Sequence, residues 1–317
     1  MKAWIIIALV LVVVGGVMFT AALASAGWDF SALSTVKYET VEHEITEDFD
    51  FLFIQPSTAD VIIVPSEDGS AKVVCYEAEN VSYTVSVSEG GLVILKNDTR
   101  KWYDYIGISV GEPKITVYLP KTEYKSLIFK GNTGDAHISG EFIFEEISVG
   151  TFTGDVTCFA SVTGNAHVFT DTGDITVRSM SAGSLELSAS TGKITISDVS
   201  CAGDVSTDVS TGDVDVANVV CESFTSVGST GDLWMENVIA SGKMSITRST
   251  GDVEFESCDA AEISLKTTTG SVEGSLLTDK IFVTKSSTGD IEVPRTTSGG
   301  VCEITTSTGD IEIDVVG

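Results

Sequence analysis

From residue 131 onward, apolar and polar positions alternate in short runs, and a recurring glycine sets their phase. Two residues past each such glycine stand Ala136, Val156, Ile175, Ile194, Val214, Leu233, Val253, Val272, Ile291 and Ile311. Four past it stand Ile138, Cys158, Val177, Ile196, Val216, Met235, Phe255, Gly274, Val293 and Ile313. The residue between them is mostly polar, as in Thr157, Thr176, Thr195, Asp215, Glu254 and Glu312, with Trp234 the exception. This period of two predicts a strand with one face inward. Seven residues before the glycine, Leu185, Val205, Phe224, Met244, Ile263, Phe282 and Cys302 mark an inward position on a second strand.

The glycine belongs to a corner, Thr-Gly-Asp, which occurs at Thr133, Thr153, Thr172, Thr211, Thr230, Thr250, Thr288 and Thr308; Thr191-Gly192-Lys193 and Thr269-Gly270-Ser271 fill the gaps. The ten glycines are 20, 19, 19, 20, 19, 20, 19, 19 and 20 residues apart. Such regularity predicts a parallel β-solenoid of 19–20-residue rungs over residues 131–317, each rung stacked on the one before. Parallel rungs about 4.8 Å apart make a rod of roughly 45 Å from this part alone. Glycine suits a corner needing positive φ, and aspartate is expected to close the turn on its own backbone.

Residues 28–130 are strand-rich without the clean repeat. Ser57-Thr58-Ala59-Asp60, followed by Val61-Ile62-Ile63-Val64-Pro65, reads as a worn rung. Solenoids need atypical end rungs to cover the core, so the region reads as an N-terminal cap with degenerate rungs; a separate small β domain is the alternative. Residues 1–27 hold an uncharged stretch, 3–24, long enough to span a bilayer as a helix. Lys2 before it and a run of acids after it place the N-terminus in the cytoplasm and the bulk outside. Ala24-Ser25-Ala26 would also serve as a signal-peptide cleavage site, but the apolar run exceeds a signal core.

The chain has 18 Lys+Arg against 46 Asp+Glu, a net charge of −28. Nucleic acid and anionic lipid headgroups would be repelled. Of six cysteines, Cys158, Cys201, Cys221, Cys258 and Cys302 fall at phases shared with small or apolar residues, so they read as core hydrophobes. A bridge between the rung neighbours Cys201 and Cys221 is the one disulfide that distance would allow. Cys75 has no assigned phase.

Three sets of residues are candidates for function. The corner aspartates, among them Asp213, Asp232 and Asp252, form a row that could share Ca2+, although turn chemistry accounts for them and no cofactor is otherwise implied. Trp102, Tyr103 and Tyr105 form the densest aromatic cluster outside the apolar stretch, suited to a glycan or protein contact or to plugging the cap. Trp234 is phased outward among acids. Catalysis has little to stand on. His43, His137 and His167 sit in no recognisable constellation, and the strict spacing leaves no room for the loops that build a cleft.

The apolar head, Trp102-Tyr103-Asp104-Tyr105-Ile106-Gly107, the strand Ile115-Thr116-Val117-Tyr118-Leu119-Pro120-Lys121 and the Ser-Thr-Gly-Asp ladder together resemble the DUF4097 family over residues 30–317. That bacterial β-strand-repeat family is labelled putative adhesin. The resemblance implies a right-handed parallel β-solenoid on a bacterial envelope and supplies no catalytic residues. The expected function is a membrane-anchored, non-catalytic surface protein whose partner is a surface glycan or envelope protein. An envelope-stress accessory that binds a membrane sensor or cationic peptides is the alternative, and a carbohydrate-active enzyme the remotest.

Overall fold

The computed structural model describes residues 2–29, 36–102 and 111–316. Among these residues, Lys2–Ser25 form one helix, and a 25-stranded sheet system makes up the rest of the regular structure. No helix residue joins the hydrophobic core, which runs without a break from Leu52 to Ile313. The β part therefore carries its whole core itself.

One rung shows how sequence becomes shape. Val205–Thr211 runs along one side, Thr211-Gly212-Asp213 turns, and Val214–Cys221 follows. Val205, Thr207, Val209, Val214, Val216, Val219 and Cys221 point inward and are buried. Ser206, Asp208 and Asp215 point outward. Each buried Val or Leu contributes about 1.5–3 kcal/mol, and the same phases recur in every interior rung. A second corner lies six residues past the glycine, where Ser179, Asp198, Asn218, Asn237 and Ser257 adopt φ of 53–55°. Asn and Asp tolerate this left-handed conformation best among non-glycine residues. Asn237 Nδ2 donates to Asn218 Oδ1 at 3.1 Å, and Asn218 Nδ2 to Asp198 Oδ1 at 2.9 Å, so this corner has its own side-chain ladder.

Rungs pair in parallel and in register, as in Val214↔Leu233 and Val205↔Phe224. The corner glycine is required twice over. Gly212 has φ of 142°, and a Cβ on it would lie 1.9 Å from the Gly192 carbonyl oxygen. No side chain fits between corners stacked this closely.

Sequence order fails at the C-terminal end. Val253–Lys266 and Val272–Leu276 pair with Gly300–Thr308 and Ile311–Val315, not with Lys280–Thr288 and Ile291–Glu292. The last segment is thus an inserted rung. It lies between the preceding stack and the Lys280–Glu292 segment, which becomes the end rung. Every rung presents the same corner and the same inward phases, so either order satisfies the ladder.

The N-terminal end is also interleaved. Phe51–Ser57 and Asp60–Pro65 lie between Gly91–Asp98 and Lys114–Leu119 on one side and Glu123–Gly131 and Ala136–Ile138 on the other, all parallel. Beyond them the chain turns antiparallel. Ala71–Ala78 pairs with Lys114–Leu119 and with Tyr38–Ile45, while Val81–Ser88 pairs with Gly91–Asp98. These antiparallel strands close this end of the core.

Candidate functional site

The Thr-Gly-Asp corners form one edge of the rod, and the structure corrects the role expected of their aspartates. Apart from Asp290 on the end rung, each carboxylate accepts the backbone N–H of the next corner along the stack rather than one in its own turn. Asp155 N–H donates to Asp135 Oδ1 at 2.8 Å, Asp232 N–H to Asp213 Oδ1 at 2.9 Å, and Asp252 N–H to Asp232 Oδ1 at 2.8 Å. Asp60 heads the row, accepting from Asp135 N–H at 2.9 Å, and Asp310 accepts from Asp290 N–H at 2.8 Å. In-register stacking brings the next rung's N–H closer than any N–H within the turn. The Ca2+ candidates Asp213, Asp232 and Asp252 therefore each have one oxygen committed to the ladder. Among the described residues no group of three or more His, Cys, Asp or Glu converges on a metal position. Lys193, which interrupts the row, reaches outward to Asp215, and that bond raises the lysine's pKa.

Trp102 is 77% exposed. It lies on the segment linking Gly91–Asp98 to Lys114–Leu119, where the outermost parallel rung would have its corner. Trp102 thus lies at the capped end of the corner edge. Tyr103 and Tyr105 lie outside the described residues. Trp234 is half-buried on an outer face, paired in register with Asp215 on one side and Glu254 on the other.

Beyond Trp234 that column becomes a stack of like charges. Glu254, Glu273, Glu312 and Glu292 follow one another in register, about 4.8 Å apart. Glu254, Glu273 and Glu312, with Glu256 and Asp314, border a shallow groove of about 280 Å³. All four glutamates of the column lie three residues past a corner glycine, and the inserted rung sets their order by placing Glu312 between Glu273 and Glu292. A second depression, of about 590 Å³, lies in the cap among Glu42, Glu44, Glu67, Asp68, Lys72 and Tyr118. Both are lined by acids.

Sequence reasoning passed over Arg248. It occupies an inward position three residues before a corner glycine and is 2% exposed. Its Nη2 donates to Ser226 Oγ at 3.0 Å, and Thr207 Oγ1 donates to the same oxygen at 2.8 Å. Its Nε is buried without a partner, and no carboxylate pairs with it among the described residues. Burial lowers its pKa, partly opposed by the outer carboxylates of Asp213, Asp232 and Asp208. Gly228 makes room for it: a Cβ there would meet Nη1 at 1.5 Å.

All six cysteines are free and buried, so Cys201 and Cys221 form no bridge. Desolvation pushes the thiols of Cys75, Cys221 and Cys302 up to about 12 and those of Cys158 and Cys258 up to about 11. They are packing groups, far from the thiolate a reactive cysteine requires.

The described residues thus present a long edge, flat outer faces and shallow acidic grooves. The Toastrack DUF4097 family model matches residues 49–208 and 202–317, and the chain belongs to that family. Among solved structures, the chain is similar to one described as a putative adhesin from Parabacteroides distasonis ATCC 8503. That likeness has 12% identity and a TM-score of 0.56, covering 76% of this chain and 98% of that one. A putative adhesin from Parabacteroides merdae ATCC 43184 matches at 13% identity and a TM-score of 0.54, covering 76% of this chain and 97% of the other. A third, described as a putative lipid binding protein from Parabacteroides distasonis ATCC 8503, matches at 20% identity and 0.50, covering 76% and 98%. At such identities the likeness establishes the fold. No curated protein matches the chain.

Proposed function

We propose that the protein is a membrane-anchored, non-catalytic solenoid displayed on a bacterial surface, where it makes adhesive or envelope contacts. The observation that carries this reading is the helix Ala3–Ser25. It has a mean hydropathy of 2.8, and none of its most apolar window is covered by the rod. An apolar helix left bare beside a self-sufficient acidic rod fits a bilayer. Lys2 before the helix and acids after it orient the rod outward. The adhesin descriptions of the two Parabacteroides neighbours lend this reading modest support.

Fractionation and surface proteolysis test it together. The full chain is expected in the membrane fraction, resistant to extraction by high salt and released by detergent. Protease added to intact cells is expected to remove the rod. A rod found in the medium, with its N-terminus beginning near Gly27, would mean a cleaved signal peptide. A protease-protected rod would contradict the outward topology.

The stacked glutamates favour a second reading, as an envelope accessory that captures cationic peptides. Four carboxylates in one column on a −28 chain attract polycations strongly at low salt. Such binding should weaken steeply as ionic strength rises.

A further inference from the structure

The two ends of the rod are unlike. The N-terminal end is closed by antiparallel strands, whereas the C-terminal end rung, Lys280–Thr288 with Ile291–Glu292, has no second strand partner among the described residues. Its inward positions are consequently uncovered. Ile291 is 43% exposed, while Ile311, at the same phase one rung in, is 1% exposed. Phe282 and Val293 are only half-buried against the core. Ile281, Val283 and Val301 add exposed apolar side chains on the adjoining outer face, Ile281 lying in register with Val301. An open edge with uncovered core positions is a template for further pairing.

Charge indicates what pairs there. Residues 277–299, which form the end rung and its flanks, contain Asp279, Asp290 and Glu292 against Lys280, Lys285 and Arg295, a balance of zero. The inserted rung beneath, residues 300–317, carries Glu303, Asp310, Glu312 and Asp314 and no base. Rung interchange therefore buries the acidic segment and leaves the neutral one outermost. For a −28 chain, this end is where a second copy can approach with least repulsion. A capped opposite end means that the contact closes on itself.

We infer that the open C-terminal end rung is a homotypic docking site, joining two copies tail to tail about a two-fold axis. An isologous contact of this kind stops at a dimer. A rung of about 20 residues on each side is comparable to a standard interface. If the chain is anchored as proposed, the tether enters through the cap strand Tyr38–Ile45, so tail-to-tail contact would join rods standing on facing surfaces. That last step rests on the anchored reading; the dimer itself does not.

Sedimentation of residues 28–317, which hold the entire core, tests the dimer apart from the anchor. A monomer–dimer equilibrium with Kd below about 10 μM is expected. It should tighten with added salt as repulsion between the rods is screened. Ile291→Asp, at a side chain already 43% exposed, should weaken the dimer at least tenfold, and Val220→Asp on a mid-rod outer face should not. A bis-maleimide should couple Thr284→Cys copies to each other, because the native cysteines are buried, while Asp68→Cys copies in the cap should stay uncoupled. A monomer at about 100 μM, open-ended polymers, or coupling through the cap would each overturn the inference. If Ile291→Asp proves unfolded by circular dichroism, the coupling experiment decides alone, and absence of a Thr284→Cys product then counts against the dimer.

Discussion

At the scale of single residues, the corner shows why the repeat tolerates so little variation. Gly212→Ala forces a Cβ against a carbonyl oxygen at a backbone conformation that side chains avoid. It should cost about 3 kcal/mol, read as a lower denaturant midpoint at unchanged slope. Ile196→Asp buries a charge with no partner and should unfold the rod, whereas Thr195→Asp on the outer face should be tolerated. Arg248 runs the other way. It is a buried cation without a carboxylate, and Arg248→Met keeps most of its volume while removing the desolvation penalty. The melting temperature should rise, in line with the roughly 1–4 kcal/mol gained when buried charges are replaced by apolar groups. The thiols predict a pH dependence. Folding raises their pKa from 9.0 to about 11–12, so the neutral form is favoured in the native state. Their stabilisation is complete below pH 9 and is lost as pH climbs through the folded values. Thermal unfolding should therefore show a falling midpoint between pH 9 and 12, less so in a Cys221→Ala variant.

At the scale of elements, most of the rung could be read from spacing alone. The glycine fixed the phase, and Val214, Val216, Val219 and Cys221 all occupy the inward positions their phases imply. Arg248 could have been found by the same count, since Thr170, Ala189, Val209 and Gly228 share its column and none is charged. The corner aspartate could not be read this way. Whether its carboxylate bonds within the turn or to the next rung depends on stacking distance, which a single repeat does not encode. Nor could the interchange of the last two rungs, because identical corners make one neighbour as good as another. The second corner at Asn218 and Asn237 was visible only as a polar position. Hydrogen exchange should follow the stack order rather than the sequence. Amides of Gly300–Thr308 should exchange as slowly as mid-rod strands, and those of Lys280–Thr288 much faster, because only one of the two rungs is covered on both sides.

At the scale of the whole molecule, the fold supplies length, flat faces and a strong negative field but no deep pocket among the described depressions. The proposed function draws on three surface features: Trp102 at the cap, the acidic column, and the open end. These differ in their response to salt. Contacts of aromatic rings with a glycan should persist at high ionic strength, and capture of cations by Glu254, Glu273, Glu312 and Glu292 should not. The sequence exposed the acids and the aromatics. The shared phase of Glu254, Glu273, Glu292 and Glu312 also put them in one column, and only their order along it, with Glu312 inside Glu292, depends on the inserted rung.

The most direct test of the surface-adhesion account is binding of residues 28–317 to intact bacterial cells, mucin and a glycan panel at low and high salt. A variant with Trp102, Tyr103 and Tyr105 changed to Ala should be measured beside it. Binding that resists salt and disappears in the variant is the predicted result. Binding confined to cationic peptides at low salt, unaffected by the aromatic substitutions, would contradict the adhesive account and assign the protein to the acidic-capture role.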